Sequence, residues 1–87
     1  MADYPGDYVL PENRGAVRVV EDGGTLQLQT VAAGSAEPDA GAPLNFIGDD
    51  LATVDYLGFP IFTDFVRDDA GDVAWIRYFG RMYPRAT

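Results

Sequence analysis

The chain of 87 residues has no cysteine, no histidine and no lysine. Without cysteine there is neither a disulfide framework nor a thiolate metal site. Without histidine the usual general base and the commonest zinc ligand are missing together, leaving carboxylates, hydroxyls, arginines and backbone groups for any chemistry. Serine occurs once, as Ser35 in Gly34-Ser35-Ala36-Glu37-Pro38. A serine nucleophile needs a base within hydrogen-bond reach, and a chain without His or Lys offers little of the kind. Positive charge is scarce: six arginines stand against fourteen acidic residues, a formal net charge of -8. Nucleic acid is excluded as a partner on that ground, because phosphate binding requires a basic footprint. No apolar run approaches the roughly 20 residues of a membrane helix. Met1-Ala2-Asp3-Tyr4-Pro5 has neither the basic region nor the apolar core of a signal peptide, so neither membrane nor compartment is indicated.

What the chain does have is eleven aromatic residues and well-punctuated β-pattern. At this length folding buries only about 60–65 % of the surface the unfolded chain exposes. Aromatics that each cover about 150–250 Å² therefore matter to the core. Strands are predicted over residues 4–10, 16–20, 25–30, 43–47, 51–57, 59–67 and 73–83, with Gly80 splitting the last run. Val17, Val19, Leu26 and Leu28 alternate with polar residues across the Glu21-Asp22-Gly23-Gly24 turn and form a packed face. A second hairpin runs from Phe62 through the acidic turn Asp68-Asp69-Ala70-Gly71-Asp72 to Phe79. Residues 31–42 are small and polar and read as a loop. Sustained helical periodicity is absent. The sum is a single all-β domain over residues 1–87, a small antiparallel up-and-down β-barrel or curled meander of about seven to eight strands. Phe59, Phe62, Phe65, Trp75, Tyr78 and Phe79 are expected to fill its interior, or else to line an apolar ligand cavity.

The acidic clusters read as turns. Counting from Asp64 or Asp68, the glycine and glutamate positions of a helix-loop-helix calcium loop are not met. Asp49-Asp50 and Glu21-Asp22 are adjacent pairs in turns, without the defined separation across a cleft that paired acid–base carboxylates need. No catalytic, metal or cofactor-binding residue is assigned. The charge is nevertheless uneven, since the segment from Val73 to Thr87 holds Arg77, Arg81 and Arg85 and no acid. Trp75, Arg77, Tyr78, Arg81 and Tyr83 are the expected partner or ligand surface.

The order Tyr4-x-Gly6-x-Tyr8, Val17-x-Val19-Val20-x-x-Gly23-Gly24-x-Leu26-x-Leu28, Leu44-x-x-x-Gly48-x-Asp50 and Phe65-Val66-Arg67-Asp68-x-x-Gly71-x-Val73-x-x-Ile76 resembles the lipocalin-like C-terminal β domain of β-lactamase-related, penicillin-binding-protein-like serine hydrolases. The resemblance spans nearly the whole chain but rests on a strand-turn-strand grammar. The loop after Thr30 is longer than such domains suggest, and Leu51 stands near a position where they carry an aromatic. Those enzymes use a serine followed three residues later by lysine; Ser35 is followed at that offset by Pro38, so no catalytic residue carries over. What the resemblance implies is a noncatalytic accessory domain that packs against a catalytic hydrolase domain, in cis or in trans. The alternative is a stand-alone lipocalin-like binder of a small apolar or anionic ligand, its aromatic walls and arginines meeting an anionic head group.

Overall fold

A computed structural model describes residues 3–34, 37 and 41–86, with the backbone alone at Asn13 and Tyr56. Ser35 and much of the predicted 31–42 loop lie outside the described residues. Nine strands form among the described residues: β1 Gly6–Val9, β2 Ala16–Asp22, β3 Thr25–Val31, β4 Ala42–Pro43, β5 Asn45–Gly48, β6 Leu51–Tyr56, β7 Phe59–Arg67, β8 Val73–Tyr78 and β9 Arg81–Pro84. All pairings are antiparallel, in a four-stranded sheet ordered β1-β2-β3-β4 and a five-stranded sheet ordered β5-β6-β7-β8-β9. The hairpins follow from local chemistry. Asp22 pairs with Thr25 across Gly23 and Gly24, whose φ values of 61° and 86° supply the left-handed residue conformation needed at both central positions of a two-residue turn that matches the right-handed twist of its strands.

The predicted barrel does not form. Closing a barrel requires ladders at both seams, and here the strands beside the seams are short and interrupted by proline. On one side the chain leaves β4 at Pro43 and enters β5 at Asn45, switching sheets at Leu44, whose N–H donates to the Leu26 carbonyl at 2.8 Å. On the other side β1 meets the end of the chain only through the isolated Tyr8–Arg85 bridge and the Ala86 N–H on the Asp7 carbonyl at 2.8 Å. Pro84, without an N–H, ends β9 just before that bridge. The result is two separate sheets joined at corners. A closed lipocalin-like barrel, or a single curled meander, is thereby overturned.

The inner faces of the two sheets share one core. Tyr8, Val17, Val19, Leu26 and Leu28 from the first sheet meet Ala52, Val54, Phe65, Val73, Ile76 and Tyr78 from the second, with Leu44 at the corner. Burying an aliphatic side chain such as Ile76 or Leu26 contributes about 1.5–3 kcal/mol. The Thr63 hydroxyl, almost wholly enclosed, is satisfied by donating to the Arg77 carbonyl at 2.6 Å. Of the six aromatics expected inside, only Phe65 and Tyr78 are buried; Phe59, Phe62 and Phe79 are 70 %, 67 % and 52 % exposed. The reason is the two-residue period of a strand: positions three apart, Phe62 and Phe65 or Trp75 and Tyr78, face opposite sides of the sheet.

Candidate functional site

The expected surface comes from β8 and β9, and alternation divides it. Ile76 and Tyr78 point into the core, so Trp75 and Arg77 lie on the outer face of the five-stranded sheet. Tyr83 pairs with Ile76 and packs against the core from the inner side, and Arg81 pairs with Tyr78. The five residues therefore belong to two surfaces. Trp75 and Arg77 are together on one; Tyr78, Arg81 and Tyr83 are together on the other.

The outer face is built in cross-strand rows. One row runs Leu51, Asp64, Arg77, Met82; the next runs Val66, Trp75, Pro84; Thr53 and Phe62 form a third beside them. At its centre Arg77 and Asp64 approach to 3.5 Å across the β7–β8 pair. Around that pair Phe62, Trp75 and Met82 remain 67 %, 37 % and 42 % exposed. Directly opposed side chains on a sheet stand about 4.5–5.5 Å apart at Cβ, which sets Met82 beside Arg77 and Trp75 beside Val66 and Pro84, with Phe62 in the row on the other side of the ion pair, so the exposed apolar side chains flank that pair rather than touch across it. Phe62 was expected in the interior and Met82 in neither place; the two-residue period counted from buried Phe65 puts Phe62 on the outer face.

The second surface lies at the end of the sandwich where β2 begins, β3 ends and β8 turns into β9. An open cleft of about 540 Å³ is lined there by Leu28, Val54, Tyr78, Tyr83, Arg14 and Arg81, with Asp55 also at its wall. Leu28, Val54 and Tyr78 are core residues, which makes the cleft floor apolar. A neighbouring cleft of about 780 Å³ shares Arg14, Ala33 and Arg81 and adds Pro11, Glu12 and Met82. Neither Arg81 nor the Tyr83 hydroxyl has a hydrogen-bond or ion-pair partner among the described residues. Arg14 has only the exposed Glu12 carboxylate, at 4.0 Å.

The opposite end is a charged network. Asp50, in the β5–β6 turn with φ of 60°, receives Arg67 through Nε at 2.9 Å and Nη2 at 3.0 Å, and the Tyr4 hydroxyl at 2.7 Å. Arg67 also donates to the Gly71 carbonyl at 2.7 Å and meets Asp3 at 3.3 Å. The Arg67 guanidinium first, and the Tyr4 hydroxyl second, hold the Asp50 carboxyl below the usual carboxylate range. Burial, reinforced by Asp50, pushes the Tyr4 phenol up, and burial pushes Tyr8 up. Arg85 completes this end, donating to the carbonyls of Asp3 at 2.9 Å, Val73 at 3.2 Å and Pro5 at 2.6 Å while lying over the Tyr8 ring. The adjacent acidic turn is an exposed Asx turn in which the Asp68 carboxylate accepts the Ala70 and Asp72 N–H groups, each at 3.0 Å. Among the described residues no group of three or more acidic side chains is placed to hold a metal ion. Nor does any helix among them have the length and apolarity to cross a membrane. Neither a protein-family model nor a curated protein matches the chain.

Proposed function

We propose that the protein is a noncatalytic interaction domain whose outer β5–β9 face seats a folded protein partner. The observation that carries this reading is the apolar surface of Phe62, Trp75 and Met82 around the Asp64–Arg77 pair. Exposed aromatic and Met side chains are the residues enriched where protein surfaces meet, and an aromatic patch of this kind supports docking more than solubility. The chain as a whole carries a net charge of -8. The partner is accordingly one with an apolar contact area and a basic rim, which complements the acidic body and speeds encounter. A catalytic domain, in cis or in trans, is the kind of partner that the strand-and-turn resemblance implies. Trp75 and Phe62 anchor the contact and Arg77, already paired across strands, fixes its register.

The test is site-specific photocrosslinking in the source organism, with the photoreactive residue placed at Phe62 and, as a control, at exposed Thr25 on the other sheet. A single discrete adduct from position 62 is expected, absent from position 25 and lost when Trp75→Asp is added. The purified partner should then bind the intact chain at least about tenfold more tightly than the Trp75→Asp chain. No adduct from position 62, the same adducts from both positions, or an adduct only with a second copy of this chain would overturn the reading.

A further inference from the structure

The six arginines are not used alike. Arg18 pairs with Asp7 at 2.7 Å, Arg67 with Asp50, Arg77 with Asp64, and Arg85 with three backbone carbonyls. The remaining two are Arg14, whose one acidic neighbour is at 4.0 Å, and Arg81, which has no partner among the described residues. In a chain carrying fourteen acidic residues, partners for a guanidinium are plentiful. Yet both of these arginines line the same cleft, beside a Tyr83 hydroxyl without a partner among the described residues and above the apolar floor of Leu28, Val54 and Tyr78. Beyond the distant Glu12, the described residues supply no acceptor to these guanidinium and phenol donors, and guanidinium matches a carboxylate in two-point geometry.

We infer that this cleft binds a small monocarboxylate with an aromatic or alkyl body. The carboxylate sits between Arg14 and Arg81 with the Tyr83 hydroxyl donating to it, and the body lies over Leu28, Val54 and Tyr78. The volume of about 540 Å³ is in the range of small-molecule sites. Charge sets the ligand's valence. Glu12 and Asp55 stand at the walls of the paired clefts, and the surrounding field of a chain at -8 is repulsive, so a single negative charge is accommodated and a dianionic phosphate is disfavoured. The inference is independent of protein docking, because the outer sheet face contributes none of these carboxylate contacts.

The test is an NMR titration of the full ¹⁵N-labelled chain with 2-naphthoate and, separately, dodecanoate, following the arginine Nε–Hε signals. For at least one of the two probes the Arg14 and Arg81 signals and the Tyr78 and Tyr83 amides should shift together and saturate below about 1 mM. Arg81→Gln and Arg14→Gln should each weaken that probe about tenfold, the loss of a charge-assisted contact, while the remaining spectrum stays that of the folded chain. Naphthalene-2-methanol and inorganic phosphate, which separate the apolar and anionic contributions, should each bind at least about tenfold more weakly than the carboxylate. The proposal is overturned by the absence of saturable shifts with both carboxylates, by equal shifts at Arg18 and Arg77, by undiminished binding in both variants, or by equal affinity for the alcohol or phosphate.

Discussion

At the end of the sandwich that carries the 68–72 turn, Arg67 and Arg85 together make contacts to Asp3, Pro5, Asp50, Gly71 and Val73, and Tyr4, Phe46 and Phe65 pack ring to ring at 4.6–6.1 Å beneath them. At the opposite end, among the described residues, Arg14 has Glu12 at 4.0 Å and Arg81 has no partner, and the two layers part around an open cleft. The same residue type thus serves as a clamp at one end and stands unused at the other. The difference lies in what the backbone brings near. The N-terminal arm before β1 crosses the first end and offers Tyr4, Asp3 and carbonyls; among the described residues no comparable segment supplies acceptors to Arg81.

The largest expected effect tests the clamped end directly. Phe65, 3 % exposed, touches Tyr4, Tyr8 and Phe46, so Phe65→Ala should cost about 3–5 kcal/mol through lost burial and the cavity left behind. Tyr83→Ala at the open end removes a half-buried ring that already borders solvent, and should cost about 1–2 kcal/mol. Urea midpoints for the two variants measure this; equal losses would mean that the ends are equally structural. Arg85→Met comes next. It keeps the stem over Tyr8 but leaves the carbonyls of Asp3, Pro5 and Val73 without their donor, and should cost about 2 kcal/mol in the same assay.

Much of this architecture was legible residue by residue. The Gly23-Gly24 turn, the alternation of Val17, Val19, Leu26 and Leu28, and the break at Gly80 are local signals, and the strands formed where they point. The sheet switch at Leu44 was not legible, because whether residues 43–47 pair as one strand or change layers is decided by the distant Leu26 carbonyl. The interior role expected for Phe62, Trp75 and Phe79 does not hold, because strand parity turns Phe62 and Trp75 outward and Phe79 lies in the β8–β9 turn with φ of 54°. In the expected surface, Trp75 and Arg77 share one face and Tyr78, Arg81 and Tyr83 the other, a division already present in the two-residue period. Arg14 and the Tyr4–Asp50–Arg67 network had no such signal. Their partners are 46 and 17 residues apart along the chain in the network, and Arg14 reaches its cleft through the meeting of β2, β3 and β9 ends rather than through any local pattern.

The clamped end should also impose its own pH dependence. Asp50 has a folded-state pKa below its unfolded value, so it contributes stability above about pH 4 that is lost as pH falls through the lower, folded value. Tyr4 and Tyr8 are shifted the other way, so their contribution is complete below about pH 10 and is lost as pH rises through their raised folded values. Asp50→Asn retains a residue that tolerates the positive φ of 60° and removes only the charge. It should lower the stability plateau at neutral pH and flatten the acid limb, while Tyr4→Phe should flatten part of the alkaline limb. Urea midpoints from pH 2.5 to 11, taken in roughly half-unit steps, report both limbs. An unchanged acid limb in Asp50→Asn would show that the Arg67 contact adds nothing to folding.

The smallest effect is the one that separates a reserved arginine from a structural one. Removing Arg81 takes away no internal hydrogen bond and no ion pair among the described residues, and its place at the start of edge strand β9 is exposed. Arg81→Gln should therefore leave the urea midpoint unchanged in moderate salt. At low ionic strength a slight loss is expected, because one cation fewer on a chain at -8 increases self-repulsion. Arg85→Met, measured beside it, should show the reverse pattern: a large loss that salt scarcely alters, since its contacts are to half-buried carbonyls rather than to distant charges. If Arg81→Gln were as costly as Arg85→Met, the guanidinium would be holding the fold together and would not be available to a ligand. If it costs nothing yet weakens carboxylate binding about tenfold, the arginine serves that contact and not the fold.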